Sequence, residues 1–214
     1  QKFWFAVTLI ISSVFGTIFL ILGMFVNSIR LTFHGLVSAV IPEPREYSMI
    51  TIGVAIPDSG GVTAPEWNPM FVGVIYFLAN IIAPLFHCLA LCAMSGICVG
   101  AMMRGPNKSP MIGYILTTIE FFNLFSAAEV FFVLYFFLLP QIHKFAYSII
   151  AIHCGPINTF LEIPVLTEWL DGYSTCFALD GEVLAGMYLL GIGCLFVRVA
   201  HYMALLLCTQ YRRP

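Results

Sequence analysis

Residues 111–139 read MIGYILTTIEFFNLFSAAEVFFVLYFFLL, an apolar run interrupted by only a few polar side chains. A membrane-spanning helix needs about 20 apolar residues, so the run is long enough to cross a membrane. Two of its side chains, Glu120 and Glu129, are carboxylates. Because a charge in hydrocarbon costs at least about 2.5 kcal/mol, an ionisable group inside a span is a candidate functional residue. The sequence therefore predicts a functional site on this span.

The composition is typical of a membrane protein with several spans. Apolar residues make up 60% of the chain and charged residues only 9%, with a mean hydropathy of +0.96. Soluble domains carry about 25% charged residues. The chain has no basic cluster or glycine-rich phosphate loop, so we expect no nucleic-acid partner. We expect one membrane domain covering residues 1–214.

Four stretches are long and apolar enough to span: residues 3–26, 70–99, 111–139 and 183–207. They leave two longer segments outside the membrane, residues 27–69 and 140–182. We predict a membrane all-α fold, a four-transmembrane-helix bundle with a small extracytoplasmic antiparallel β segment after the first helix.

Positively charged residues predict the orientation. Lys2 precedes the first span, Arg104 and Lys108 lie between the second and third, and Arg212 and Arg213 follow the fourth. Positive residues near spans stay on the cytoplasmic side. Both termini are therefore predicted to be cytoplasmic. The membrane would be the endoplasmic reticulum or plasma membrane in a eukaryote, and the inner membrane in a bacterium.

The two outer segments have different signatures. Residues 28–34 and 48–56 alternate in the way that predicts two antiparallel strands. Cys154 and Cys176 are the only cysteines in the two outer segments, and in an oxidising compartment they could form a disulfide. The alternative is two free buried thiols. The sequence predicts the disulfide.

Helical rise predicts the depth of the polar side chains. At about 1.5 Å per residue, Glu120 lies roughly 14 Å and Glu129 roughly 27 Å from the cytoplasmic end of the third span. His87 in the antiparallel second span is near Glu120 in depth, and Asn80 approaches Glu129. A His87–Glu120 pair would spare both charges from hydrocarbon. Pro84 lacks a backbone N–H and predicts a kink beside His87.

The predicted site is an intramembrane polar cavity, lined by Glu129, His87, Glu120, Ser126, Asn123 and Asn80. On the third span these side chains form a slanted stripe, which can line a cavity or touch two neighbours in turn. The structural alternative is that they clamp helices together, with contributions of about 1 kcal/mol or less.

No catalytic residues and no metal site are predicted. The chain lacks a paired nucleophile and base, and it has no H-E-x-x-H or C-x-x-C motif. Cys88 and Cys92, with His87, could suggest a metal pair, but free cysteines are commonly small buried apolar residues. We expect a protein that is not an enzyme and has no cofactor beyond a bound phospholipid.

Two segments of the sequence carry a family resemblance. Residues 125–133, FSAAEVFFV, resemble the motif W-S-M-L-[DE]-V-F-V-V, and residues 83–91, APLFHCLAL, resemble F-P-L-L-K-L-L-A-L. Both motifs belong to the paraquat-inducible protein A family of bacterial inner-membrane proteins linked to lipid transport. His87 stands where that motif has Lys, Phe125 stands where it has Trp, and the family's cysteine-rich ribbons are absent. The layout is also similar to tetraspan proteins such as claudins and channel auxiliary subunits.

The resemblance implies a component of a lipid-transport system. It would accept or present phospholipid through the polar cavity and exchange it with a larger lipid-transfer partner. One alternative is a non-transporting tetraspan scaffold or auxiliary subunit that anchors or traffics a large partner within a membrane complex. A second alternative is an ion-coupled small-solute carrier. A lipid-sized cavity that is open to the bilayer and lined by the stripe would favour transport. A tightly packed bundle in which Glu129 is bonded to a neighbouring helix would favour the scaffold.

Overall fold

A computed structural model describes residues 2–35, 38, 43–58, 67–104, 111–142, 144, 148, 154 and 176–212. Four helical stretches within these ranges are long and apolar enough to cross a membrane: Trp4–Phe25, Pro69–Cys98, Gly113–Gln141 and Ala185–Leu207. The four predicted spans are confirmed in this sense. The orientation of the termini and the identity of the membrane stay predictions.

Helices α1 (Lys2–Phe25) and α7 (Ala185–Arg212) form the closest seam of the bundle. Glycines bring the two backbones into direct contact. A Cβ atom at Gly23 would lie 2.6 Å from the backbone nitrogen of Leu190, and one at Gly193 would lie 2.7 Å from that of Leu20. Because both positions lack a Cβ, the first and last spans can pack backbone against backbone.

The second span consists of α3 (Trp67–Phe77), a π-helical turn (Leu78–Ile82) and α4 (Ala83–Arg104). Pro84 has no N–H and its ring clashes with the carbonyl of the residue four positions back. The N–H of Ala83 donates to the carbonyl of Leu78, five residues back. The predicted irregularity at Pro84 is thus a π turn that ends immediately before it.

The third span was predicted as one helix, and this is wrong. It is broken into α5 (Met111–Phe125) and α6 (Ala128–Leu138), followed by a short 3₁₀ turn (Leu139–Gln141). Ser126 and Ala127 lie between the two helices, with Ala127 at φ −97° and ψ 1°. The break falls within the predicted polar stripe, so its members sit on two separate helices.

The break is stabilised by the π turn of the second span. The N–H of Ala127 donates to the carbonyl of Ala79 at 3.0 Å. In a regular α-helix that carbonyl would accept from Ala83, whose N–H here goes to Leu78 instead. Irregular backbone at membrane depth requires such partners within the protein. The two irregularities therefore satisfy each other.

The predicted second strand, residues 48–56, is instead the helix α2 (Met49–Asp58). The Ser48 hydroxyl accepts the N–H of Thr51 at 3.2 Å, and the Thr51 hydroxyl accepts the N–H of Ser48 at 2.6 Å, which is a capping arrangement. Met49 and Gly53 are buried and Ile50, Ile52 and Ile56 are half-buried, whereas Thr51, Val54 and Ala55 are exposed. This spacing is helical, and it outweighs the alternating β-branched residues of the segment.

The predicted extracytoplasmic β segment is a three-stranded antiparallel sheet of order β2-β1-β3. Its strands are β1 (Ile29–His34), β2 (Arg45–Tyr47) and β3 (Ala178–Val183). Only β1 was predicted as a strand; neither β2 nor β3 was. Arg30 in the central strand pairs with Glu46 at 2.7 Å and Glu182 at 3.4 Å, joining all three strands.

Cys154 and Cys176 form the predicted disulfide, with a Cα–Cα distance of 5.7 Å. The bond links the segment after the third span to the residues just before β3. The loop between the two cysteines and residues 105–110, which link the second and third spans, lie outside the described residues.

Candidate functional site: an ion pair at the helix break

Arg198 of α7 bridges the break in the third span. Its Nε and Nη2 atoms each lie 2.5 Å from a carboxylate oxygen of Glu129 on α6. Its Nη1 donates to the Oδ1 of Asn123 on α5 at 3.3 Å. A two-pronged contact of this kind is the strongest arrangement between a guanidinium and a carboxylate. One side chain of the fourth span thus holds both halves of the third.

The helix ends around the break favour these charges. Glu129 lies in the first turn of α6, near the partial positive charge of the helix N-terminus. Asn123 lies in the last turn of α5, where the partial negative charge of the C-terminus favours the Arg198 guanidinium. The broken helix therefore supplies electrostatic support that a continuous helix would lack.

The ion pair lies deep in the predicted membrane region. At about 1.5 Å per residue, Arg198 is roughly 20 Å from the start of α7 and Glu129 roughly 18 Å from the end of the third span. Both charges therefore lie well inside the predicted spans rather than at their ends. The side chains are 50% and 32% exposed at the bundle surface. The seam between the third and fourth spans thus carries a polar site that is exposed on the outer surface of the helix bundle.

A pair of histidines lies close to the ion pair. His87 is 2% exposed, and its ring centroid is 5.4 Å from that of His201, which is half-buried on α7. Within the described part of the chain, the Nε2 of His87 and the Nδ1 of His201 are buried and have no hydrogen-bond partner. His201 is three residues after Arg198 and so lies on the same side of α7.

The predicted His87–Glu120 pair is not formed. His87 is buried among the helices, whereas Glu120 is exposed on the surface of α5. Glu120 forms no ion pair with any of the residues that the structure describes. Similar depth in two antiparallel helices was not sufficient, because the rotation of each helix decides which side chains meet.

The remaining predicted site residues have separate surroundings. Asn80 is buried in the π turn, and its Nδ2 donates to the carbonyl of Tyr76 at 3.1 Å. Its Oδ1 has no hydrogen-bond partner among the described residues. Ser126 is the first residue of the break, and Pro84 follows the π turn. Of the predicted set, the structure brings Asn123 and Glu129 together, through Arg198.

An apolar groove of about 350 Å³ lies between the second and third spans. It is lined by Ile75, Leu78, Ala79, Ile82, Ala83, Phe121, Phe122 and Phe125. At about 100° per residue, Asn123 points nearly opposite to Phe121 and Phe125. The groove and the ion pair therefore lie on opposite sides of α5. The groove is not the predicted polar cavity, because no member of the stripe lines it.

The described residues contain no group of three or more His, Cys, Asp or Glu side chains that could hold a metal ion. Cys88 is a free buried thiol, and the sulfur of Cys92 lies 3.8 Å from the hydroxyl of Thr17. The thiols therefore pack as small side chains in the helix interfaces.

Sequence reasoning missed the two residues of α7 that organise the site. Neither Arg198 nor His201 was predicted to be a site residue. A signal was available, because Arg198 is the only arginine or lysine within the four predicted spans and such a residue is the natural partner of an intramembrane carboxylate. No family model matches the chain, and neither a curated protein nor a solved structure matches it.

Proposed function

We propose that this protein is an integral membrane component of a lipid-transport system, which exchanges phospholipid with a larger lipid-transfer partner. The site for the headgroup is the seam between the third and fourth spans, around Arg198 and Glu129. The family resemblance of the two sequence motifs supports the same function. Glu129 lies inside one of these motifs and His87 inside the other.

One observation supports the proposal: the Arg198–Glu129 pair lies well inside the predicted spans and is partly exposed. Charges at this depth face hydrocarbon unless something polar covers them, and intramembrane charges mark substrate pathways. The anionic group that a membrane itself supplies is the phosphate of a lipid headgroup. Arginine is well suited to hold phosphate, because its planar fork matches the oxygens. A headgroup can thus reach Arg198 sideways from the bilayer.

The test replaces both charges together. A double variant, Arg198→Met with Glu129→Met, leaves no unpaired charge, and apolar replacement of an ion pair is often neutral or stabilising. We expect it to fold but to lose phospholipid transfer by about tenfold or more, because a hydrogen bond to a charged group contributes about 1.5–3 kcal/mol. The measurement is the rate at which labelled phospholipid leaves vesicles that contain the protein, with bound lipid measured by native mass spectrometry.

The matched control is Arg30→Met with Glu46→Met, which removes an ion pair of the same kind from the sheet. It should transfer lipid at the wild-type rate. If the double variant in the spans folds and transfers lipid as fast as the wild type, the pair is a structural clamp and the proposal fails.

A second candidate is a non-transporting scaffold or auxiliary subunit. It is favoured by the two-pronged bond between Glu129 and a neighbouring helix, and by a groove with no polar lining. A partner helix would then cover the exposed part of the pair. If this second function is correct, the double variant transfers lipid at the wild-type rate. The complex with the partner, which crosslinking captures in native membranes that contain the wild type, is then absent.

A further inference from the structure

We propose that His87 and His201 form a proton-binding site inside the membrane, and that its occupation weakens the hold of Arg198 on Glu129. The first half concerns the histidines alone. The second half rests on the proposed function, because a released guanidinium matters only if it binds a lipid headgroup.

The geometry carries the proton site. Two imidazole rings lie 5.4 Å apart between the second and fourth spans, and each keeps one buried nitrogen without a hydrogen-bond partner among the described residues. Buried polar atoms are nearly always paired, and an unpaired one calls for an explanation such as a functional role. A neutral imidazole has one nitrogen free to accept a proton. Two such rings in one interior space can accept one proton between them, and His201 connects that space to the half-exposed side of α7.

The surrounding charges connect this proton to the ion pair. Arg198 lies one turn before His201 on α7 and is bonded to the carboxylate of Glu129 on α6, while the carboxylate of Glu120 is exposed on α5. From the second span, Cys88 is adjacent to His87 in sequence. The first helix has no ionisable side chain between Phe3 and Phe25.

The coupling follows from competition between cations. When the proton enters from water, the imidazolium of the pair becomes a second cation for the carboxylate of Glu129. The carboxylate is then shared, and Arg198 is held less firmly and can bind phosphate. When the proton leaves, Glu129 returns to Arg198 and the phosphate is released. Lipid transfer should therefore rise as pH falls.

The proton site is tested without lipid transfer. The protein is labelled at the histidine ring nitrogens, placed in lipid nanodiscs and titrated by NMR from about pH 8 to about pH 5, the range in which histidine normally changes charge. We expect the His87 and His201 signals to change together over one pH interval. In His201→Asn, the remaining His87 signal should no longer respond in the same interval. Rings that stay neutral throughout, or that titrate independently, overturn the site.

The coupling is tested by measuring the rate of phospholipid transfer at the two ends of the same pH range. Between about pH 8 and about pH 5, wild-type transfer should rise by about fivefold or more, and that of His201→Asn by less than about twofold. His201→Asn is preferred to a His87 variant because His201 is only half-buried. His34→Asn is the control, since His34 lies on the sheet. An equal response in His201→Asn and wild type overturns the coupling. Absence of transfer at every pH overturns the proposed function and the coupling together, while the NMR titration decides the proton site independently.

Discussion

Arg198 contacts the third span at two points, Asn123 before the break and Glu129 after it. The predicted stripe on the third span thus obtains its counter-charge from another helix. A charge pair in hydrocarbon is much less costly than two separate charges, so each side chain constrains the choice of the other. At the scale of single residues, the site is defined by this pairing more than by the depth of either carboxylate.

A second arginine has the same role outside the membrane region. Arg30 and Asn27 both donate hydrogen bonds to Glu46, and chiefly the Arg30 hydrogen bond holds the pKa of Glu46 below its ordinary value of 4.5. A carboxylate whose pKa is lowered in the folded state stabilises the fold above its unfolded pKa. That contribution is lost as pH falls through the lower, folded value.

We therefore predict a pH-dependent difference between the wild type and Glu46→Gln. The wild type should melt at the higher temperature near neutral pH, and the difference should shrink as pH falls below about 4.5. The measurement is the apparent Tm in detergent at a series of pH values. Glu43→Gln, on the same outer segment, is the control. A difference that stays constant from neutral to acid pH would contradict the assignment.

At the scale of elements, the π turn and the broken helix form a matched pair. The π turn releases the Ala79 carbonyl, and the break presents the Ala127 N–H that uses it. Neither irregularity would be satisfied next to a regular helix, because the bilayer offers no hydrogen-bond partner. π-bulges are frequent at functional sites, and this one stabilises the break at which Arg198 and Glu129 meet.

This pairing predicts the effect of removing a single N–H. Replacing Ala127 by lactic acid converts the amide to an ester, leaving the side chain intact and the Ala79 carbonyl without its donor. We expect a loss of about 1–3 kcal/mol in the free energy of unfolding, measured by denaturant titration in detergent.

The control for this backbone change is glycolic acid in place of Gly113. Its amide lies in the first turn of α5, where no intrahelical acceptor exists. That ester should alter the free energy of unfolding much less. Equal losses at the two positions would show that the Ala127–Ala79 bond has no special role.

At the scale of the whole molecule, the first and last spans form the closest helix pair, and the sheet joins the same parts of the chain. Strand β1 follows α1, and β3 leads into α7. The backbone N–H groups of Leu184 and Gly186 donate to the carbonyls of Ser28 and Asn27. The first and last spans are thus joined both by the sheet and by direct helix packing. These contacts fix the position of Arg198 on α7 relative to the third span.

The glycine seam predicts a contrast between two alanine substitutions. Gly193→Ala would put a Cβ atom against the backbone of Leu20, so we expect a loss of about 1–3 kcal/mol or more. Gly96→Ala, on α4, has no heavy atom within 4 Å of the new Cβ and should be neutral or stabilising by up to about 1 kcal/mol. Thermal unfolding in detergent measures both. If Gly193→Ala is as stable as Gly96→Ala, the close approach of α1 and α7 is not needed.

Part of the candidate site could be read from the sequence. Glu129, Asn123 and Ser126 were predicted from their positions inside an apolar run, and they do lie at the break and the ion pair. The His87–Glu120 pair was wrong and Arg198 and His201 were missed. Which side chains on different spans meet depends on the rotation of each helix about its axis and on which helices are neighbours. Neither can be read from the local pattern of a single sequence.

The sequence by itself determined the four apolar spans and the Cys154–Cys176 pair. Long apolar runs, and cysteines that lie between them, can be read directly from the order of residues along the chain. It did not determine that residues 48–56 form a helix, that β3 completes the sheet, or that the third span breaks at Ser126. Only the tertiary structure decided these features. In each case a distant group supplies the deciding contact: the α3 helix for α2, the β1 edge for β3, and the free Ala79 carbonyl for the break.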